Sequence, residues 1–203
     1  VLEAAGVSLD LGTRQVAECV ERVGVGFMFA PKHHSAMRHA IGPRKEMGMR
    51  TIFNILGPMT NPAGVTRLLV GVYDPALCRP VAEVLARLGA EHVLVVNARD
   101  GLGELRAYEL TPEDVGLERI SLDGLEVRGA EESLALIRAA LSGEAGDRAE
   151  RARAVVALNA GAALYVAGLQ PTIEAGVAEA MDLMESGTPW TKVEALAELT
   201  RTM

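Results

Sequence analysis

The sequence predicts an α/β fold in which a mixed, partly parallel sheet is flanked by helices and followed by a helical C-terminal third. Two observations support this prediction. Two apolar strand patterns, at 67–73 and 92–97, flank an amphipathic helix pattern at 75–88. Parallel neighbouring strands need such a crossover, and strands that are buried on both faces are apolar throughout. From 130 onward, four helical patterns are separated by glycines, which indicates packed helices.

Composition and charge narrow the function classes. The chain has 203 residues, of which 49% are hydrophobic and 23% charged, so we expect one globular domain over 1–203. Aromatic residues make up only 3% of the chain, so few side chains could stack on the bases of single-stranded nucleic acid. The net charge of −7 disfavours bulk binding to nucleic acid or to anionic lipid. We therefore expect neither a nucleic-acid partner nor a membrane partner.

The location and the N-terminus are predicted from simple features. No apolar run reaches transmembrane length and no signal peptide opens the chain. Cys19 and Cys78 are isolated thiols, which is typical of a reducing compartment. These features predict a cytoplasmic protein. The chain starts with Val1 in what reads as the end of a helix, and we expect the domain to be incomplete at its N-terminus.

The first sixty residues alternate between helical and apolar segments. Thr13 is predicted to be the N-cap of a helix that ends near Arg22. The apolar run at 25–30 predicts a buried strand, and a loop at 31–34 should lead into helices at 35–41 and 43–48. An apolar stretch at 51–56 precedes a loop at 57–64 that is dense in turn residues.

Capping residues, turn residues and glycines predict the elements in the middle and at the end of the chain. Asp74 should cap the 75–88 helix and Gly89 should end it. A polar loop is expected at 99–103, a strand at 105–110 and a helical turn from Thr111 to Asp114. The glycine-punctuated patterns predict the last helices at 130–141, 148–167, 172–186 and 191–202.

A basic segment at 30–45 is the main candidate site. It holds three of the four histidines and four Lys or Arg residues in an acidic protein. It also follows a predicted buried strand, where open α/β sheets place ligands. An Arg there could form a forked pair with the carboxylate of a small anionic substrate. The alternative is a solvated helix with incidental His and Arg side chains, and spacing alone leaves both interpretations open.

Two weaker candidates lie downstream. Asn54 needs hydrogen-bond partners if it is buried, and tying down the 57–64 loop is the simpler interpretation. Asp100 and Glu104 flank two glycines and could offer carboxylates to Mg²⁺, although such pairs are common by chance. The sequence contains no Walker A loop, and no helix pattern follows the glycines at 101 and 103 as a dinucleotide fingerprint would require.

Several of these segments resemble one enzyme family. They are 27–31, 34–38, Arg44 and the run GMRTIFNILGPMTNPA at 48–63, with further matches at 106–114, 158–163 and 165–168. Together they resemble anthranilate phosphoribosyltransferase over essentially the whole chain. The resemblance implies a nucleoside-phosphorylase-like transferase domain. It also implies transfer of a 5-phosphoribosyl group from phosphoribosyl pyrophosphate to anthranilate, in tryptophan biosynthesis.

The resemblance assigns roles to individual residues. Arg44 would hold the anthranilate carboxylate. The same channel would be lined by Ala30, Pro31, His34 and Met37 and bordered by Gly57. No residue is assigned a catalytic role and none is assigned as a metal ligand, although the family uses Mg²⁺. A homodimer is expected only if the family's N-terminal domain is present.

The chain departs from the family in two places. The family's N-terminal helical domain and its Gly-Thr-Gly-Gly-Asp phosphate loop have no counterpart. The family's Asp-Glu metal pair would fall at Gly103 and Glu104, or be lost in a deletion after Leu102, and we favour the deletion. Two alternatives therefore remain. One is an inactive fragment or interaction module that keeps only the anthranilate-side pocket, and the other is a nucleic-acid-binding relative, which the charge disfavours.

Overall fold

The structure is a computed structural model that describes residues 1–33, 56–57, 59–99, 102–105 and 108–203. The helices in these ranges are α1 (Thr13–Val23), α2 (Ala30–His33), α3 (Cys78–Arg87), α4 (Ala130–Leu141), α5 (Asp147–Ala167), α6 (Ile173–Glu185) and α7 (Thr188–Arg201). The strands are β1 (Arg67–Gly71), β2 (His92–Arg99), β3 (Leu102–Leu105) and β4 (Tyr108–Glu109). The α/β class and the helical C-terminal third are therefore confirmed. The helices predicted at 35–41 and 43–48 and the apolar segment at 51–55 lie outside the described residues.

The described residues group into two compact units. The first contains 1–33, 126–150 and 183–203, and the second contains the described parts of 56–125 together with 151–182. Each unit has its own cluster of buried apolar side chains. The single domain expected over 1–203 stays a prediction.

A four-stranded mixed sheet forms the centre of the second unit, in the order β1-β2-β3-β4. β1 and β2 pair in parallel, whereas β3 and β4 continue the sheet with antiparallel pairing. The crossover helix α3 buries Val81 and Leu85 against Val70 and Val95 of the two parallel strands. The predicted strand–helix–strand unit is therefore confirmed, since its apolar strands require this cover on the sheet face.

Local capping fixes the ends of the crossover. The Asp74 carboxylate accepts a hydrogen bond of 2.9 Å from the backbone N–H of Ala76, which satisfies a donor that the short 3₁₀ turn Pro75–Leu77 leaves free. Gly89 follows the helix with a φ of +92°, a conformation that L side chains rarely adopt. Both signals were predicted from the sequence and both are confirmed.

A second cap stabilises the turn Pro112–Val115. The Asp114 carboxylate accepts hydrogen bonds of 2.8 Å from the backbone N–H and from the hydroxyl of Thr111. These bonds lower the pKa of Asp114 below its ordinary value, because they favour the ionised form. A depressed carboxyl pKa means that the cap contributes stability above the unfolded pKa and loses it as the pH falls through the folded pKa.

The last two helical segments of the second unit cross at glycines. Gly161 of α5 and Gly176 of α6 let the two backbones touch. A Cβ at Gly161 would lie 2.5 Å from the backbone nitrogen of Val177, and one at Gly176 would meet the carbonyl oxygen of Gly161. Two backbones that approach this closely leave no room for a methyl group, so the crossing depends on both glycines.

Replacement of Gly176 by Ala is therefore expected to destabilise the fold. The added methyl must push two helix backbones apart, and overpacking of this kind lowers the free energy of unfolding by roughly 1–3 kcal/mol. Urea denaturation followed by helical circular dichroism measures the change. Gly71→Ala is the matched control, because a Cβ there would meet nothing within 4 Å. Equal midpoints for Gly176→Ala and the wild-type chain would refute the close crossing.

The core of the first unit joins the two ends of the chain. Val7 and Leu11 are each 2% exposed and pack with α1 and α7, whose buried members include Cys19 and Leu196. The backbone N–H of Ser8 donates a 3.1 Å hydrogen bond to the hydroxyl of Thr200 in α7. The segment at 7–12, which includes Asp10, is thereby fixed to the helices.

Three local predictions in the first unit are wrong. The N-cap of α1 is Gly12 rather than Thr13, and the Gln15 side chain accepts the Gly12 N–H at 2.8 Å. The apolar run at 25–30 is not a buried strand. Phe27 and Phe29 are 38% and 39% exposed, and Gly26 lies against α1, where a Cβ would come within 3.1 Å of Val16. The loop predicted at 31–34 is replaced, at 31–33, by the end of the helical turn α2.

The boundary between the second and third strands also differs from the prediction. A polar loop was expected at 99–103, but β2 extends to Arg99 and β3 begins at Leu102. The backbone pairing of Arg99 with Leu102 closes this hairpin. Strand pairing therefore continues through residues that carry no apolar pattern. The strand predicted at 92–97 ends too early, because its boundary was set by hydrophobicity alone.

Candidate functional site

The predicted pocket residues are only partly within the described ranges. Ala30 and Pro31 belong to the first unit and Gly57 to the second. His34, Met37 and Arg44 lie outside the described residues. The roles of all six stay predictions, and the structure defines the surroundings of the three that it describes.

Ala30 and Pro31 open the single helical turn α2. The turn is closed by backbone hydrogen bonds from the N–H groups of Lys32 and His33 to the carbonyl oxygen of Phe29, at 2.9 and 3.2 Å. Ala30, Pro31 and Lys32 are exposed and His33 is half-buried. A four-residue helix has little stability of its own, so its position depends on contacts with the rest of the unit.

An open cavity of about 600 Å³ lies beside this turn. It is lined by Glu3, Ser8, Leu9, Asp10, Phe29, Pro31 and Lys32. The ammonium of Lys32 donates to the Asp10 carboxylate across 22 residues of sequence. Leu9, Phe29 and Pro31 supply apolar wall, so the cavity combines apolar surface with a few polar groups, as small-molecule sites do.

His33 carries a polar atom that is unusual among the described residues. Its ring nitrogen Nε2 is buried and has no hydrogen-bond partner. A buried polar group without a partner costs free energy, and native proteins keep few of them. His33 follows Pro31 and Lys32 in the chain but is not among the residues that line the cavity, so this nitrogen is assigned no role in the pocket.

Gly57 lies in a short helical segment next to open space. A Cβ at this position would meet no atom within 4 Å. The Thr60 hydroxyl donates a 3.0 Å hydrogen bond to the carbonyl oxygen of Leu56, and the Asn61 side chain accepts the N–H of Ala63 at 3.0 Å. These local bonds shape the turn residues at 60–63. The loop predicted at 57–64 begins later than the sequence indicated, because Gly57 and Met59 are helical.

Asn97 is a polar residue at the carboxyl end of β2 that the sequence analysis missed. It is 5% exposed, and its side-chain Nδ2 donates a 2.9 Å hydrogen bond to the carbonyl oxygen of Val72. Val72 in turn donates its N–H to Val96 at 2.8 Å. This bonding fixes the edge of the sheet where α/β folds place their loops and ligands. The sequence signal that could have identified this residue is an Asn at the end of an apolar strand pattern.

Metal binding and reaction at the Cys19 thiol can both be assessed within the described ranges. No three His, Cys, Asp or Glu side chains converge there to form a metal site. Cys19 is fully buried, and burial raises the pKa of its thiol, which disfavours the reactive thiolate. No helix of the described ranges is both long and apolar enough to cross a bilayer.

Comparison with known proteins identifies the family. Residues 1–189 match the sequence profile of the glycosyl transferase family, a/b domain. The chain belongs to this family. It is 55% identical to the anthranilate phosphoribosyltransferase of Marinobacter nauticus over 99% of its own length and 64% of that protein's length. The chain thus spans somewhat less than two thirds of the curated relative.

Solved structures of family members agree with the fold. The anthranilate phosphoribosyltransferase of Thermus thermophilus superimposes with a TM-score of 0.89 at 41% identity, over 98% of this chain and 63% of that one. The Saccharomyces cerevisiae enzyme, solved in complex with PRPP (phosphoribosyl pyrophosphate) and Mg, superimposes with a TM-score of 0.86 at 21% identity. That match covers 100% of this chain and 60% of the yeast chain, and at this identity it supports the fold alone.

The family member from Marinobacter nauticus also carries residues that this chain lacks. The alignment extends over 217 positions, although the chain has 203 residues. At least 14 positions of the relative therefore face no residue here. A deletion after Leu102 predicts such a difference, and its location stays a prediction.

Proposed function

We propose that the natural protein containing this chain transfers a 5-phosphoribosyl group from phosphoribosyl pyrophosphate to the amine of anthranilate. The observation that carries this proposal is the identity of 55% with a protein of that name over 99% of the chain. The matched region covers 99% of the chain and so includes the basic segment at 30–45, where the sequence predicts the acceptor pocket. The cytoplasmic location expected from the sequence belongs to the same proposal.

The chemistry asks for positioning more than for a general base. The aromatic amine of anthranilate is already a nucleophile, and pyrophosphate is a leaving group whose negative charge must be stabilised. An enzyme can supply most of the acceleration by holding the amine against the ribose carbon and by providing preorganised positive charge. The proposed roles of the chain's own residues are therefore binding and orientation.

The acceptor side of the proposed site is built from the predicted pocket residues. Arg44 binds the anthranilate carboxylate with two parallel hydrogen bonds, a geometry that a guanidinium provides and an ammonium does not. Ala30 and Pro31 form one wall of the pocket. The exposure of both residues supports this role, because an acceptor can reach them. The family resemblance alone assigns His34, Met37 and Gly57 to this channel.

Mg²⁺ belongs to the proposal through the family resemblance and the yeast complex with PRPP and Mg. When bound, it would neutralise charge on the leaving pyrophosphate. The part of the chain that the structure describes brings together no three carboxylate, His or Cys ligands, so these residues do not fit the metal and no step is derived through it.

Purified natural protein tests the proposal directly. Anthranilate fluorescence should fall with time only when phosphoribosyl pyrophosphate is also present, since the product is an N-substituted anthranilate. Benzoate, which lacks the amine, and adenine, orotate and nicotinate should not be consumed. Consumption of one of these other acceptors, with anthranilate left unchanged, would contradict the assignment.

A further inference from the structure

The structure gives the turn that bears Ala30 and Pro31 a specific anchor. Among the described residues, the side-chain bond that ties α2 to another segment of the first unit is the ion pair between Lys32 and Asp10. Pro31 is the neighbour of Lys32 and lines the same cavity. A four-residue helix depends on such contacts, because it makes too few internal hydrogen bonds to hold itself in place.

Asp10 is itself carried by a rigid part of the fold. It stands next to Leu11, which is 2% exposed, and two residues after Ser8, whose N–H is bonded to Thr200 of α7. These two contacts hold the backbone of Asp10 in place, so the turn is the element that the ion pair restrains. The pair itself is exposed, since the Asp10 side chain is 91% exposed and the Lys32 side chain 39%.

We propose that Asp10 is a positioning residue, which acts through Lys32 to hold the Ala30–Pro31 wall of the acceptor pocket in place. This inference rests on the proposed function for its catalytic consequence. Its structural part, the restraint of α2, stands independently. Asp10 touches no substrate in this scheme, and its effect reaches the pocket only through the position of the turn.

The expected effect is modest because the pair is exposed. Surface ion pairs are weak and screened by salt, so loss of this one should shift the opening equilibrium of the turn by about two- to fivefold. A better-placed wall favours binding of the acceptor more than the chemical step. The Michaelis constant for anthranilate should rise by a similar factor in Asp10→Asn, with little change in kcat or in the Michaelis constant for phosphoribosyl pyrophosphate.

Amide hydrogen exchange tests the restraint in the natural protein, whether or not it is active. The N–H groups of Lys32 and His33, bonded to Phe29, should exchange about two- to fivefold faster in Asp10→Asn than in wild type. The double variant Asp10→Lys, Lys32→Asp restores opposite charges and should return exchange toward the wild-type rate. High salt should accelerate exchange in the wild type but not in Asp10→Asn.

Glu18→Gln is the matched control. Glu18 also forms an exposed ion pair in the first unit, with Arg22 one turn along α1, but it does not line the cavity. Its removal should leave exchange at Lys32 and His33 and the Michaelis constant for anthranilate unchanged. An equal effect in both variants would indicate general destabilisation and would overturn the proposal.

Kinetics and exchange separate the two parts of the inference. Unchanged exchange at Lys32 and His33 in Asp10→Asn overturns the restraint, whatever the activity. Faster exchange with an unchanged Michaelis constant for anthranilate overturns the positioning role while the proposed function holds. Faster exchange in a protein that does not use anthranilate at all means that the proposed function fails and that the restraint of α2 stands.

Discussion

The isolated 203-residue chain is expected to show no measurable phosphoribosyl transfer, with or without added Mg²⁺. Phosphoribosyl pyrophosphate carries several negative charges that must be held by backbone N–H donors, cations and metal together. The phosphate loop that the family resemblance assigns to this task has no counterpart in the sequence. Within the described ranges, no three metal-ligating side chains converge either.

The size of the loss follows from the chemistry. If one substrate is not held, the second cannot be aligned with it, and alignment can supply on the order of 7–11 kcal/mol of the barrier reduction. Anthranilate binding should survive better than catalysis, because the proposed acceptor residues all belong to this chain. We therefore expect weak anthranilate binding with no turnover.

The assay follows anthranilate fluorescence with purified chain, Mg²⁺ and excess phosphoribosyl pyrophosphate. The full-length Marinobacter nauticus enzyme serves as the positive control under the same conditions. Turnover close to that of the full-length enzyme would contradict the prediction. It would mean that this chain builds its phosphate site from residues to which the sequence analysis gave no such role.

The C-terminal helices and the crossover could be predicted because each carries its own signals. The helix predicted at 130–141 is Ala130–Leu141 in the structure, and the cap at Asp74 and the stop at Gly89 are where the sequence placed them. Amphipathic periodicity and capping act within a few residues, so a sequence records them directly. The parallel pairing of β1 and β2 followed from their apolar composition.

The strand predicted at 25–30 failed because a short apolar run does not specify its partner. Strand, buried helix and packed loop share this composition, and tertiary contacts decide among them. Here Gly26 allows the segment to lie against Val16 and Val20 of α1. No local pattern encodes that contact.

The anchor of the candidate site was missed for a related reason. Asp10 and Lys32 are separated by 22 residues, and only Lys32 lies in a segment that the sequence singles out. Their pairing depends on how the segment at 7–12 packs against α1 and α7, which is set by buried side chains at both ends of the chain. Residue chemistry identified the basic segment as a candidate, whereas its supports could be found only in the fold.

Replacement of Arg44 by Ala in the natural protein is expected to weaken anthranilate binding by on the order of a hundredfold. A charge-assisted, bidentate contact to a carboxylate is worth roughly 2–4 kcal/mol when its partner remains desolvated. Arg44 lies outside the described residues, and its proposed role follows from its sequence position after the Gly42-Pro43 break and from the family resemblance. Binding of phosphoribosyl pyrophosphate should change far less.

Two further variants sharpen this test. Arg44→Lys keeps the charge but loses the fork, so it should recover only part of the affinity. Lys45→Ala removes a neighbouring charge without a proposed contact to substrate, and it should leave the Michaelis constant for anthranilate close to wild type. If Arg44→Ala and Lys45→Ala raised that constant equally, the effect would come from the general positive charge of the segment. Equal constants for the wild type and Arg44→Ala would exclude Arg44 as the carboxylate ligand, because a lost forked contact of this strength could not pass unnoticed.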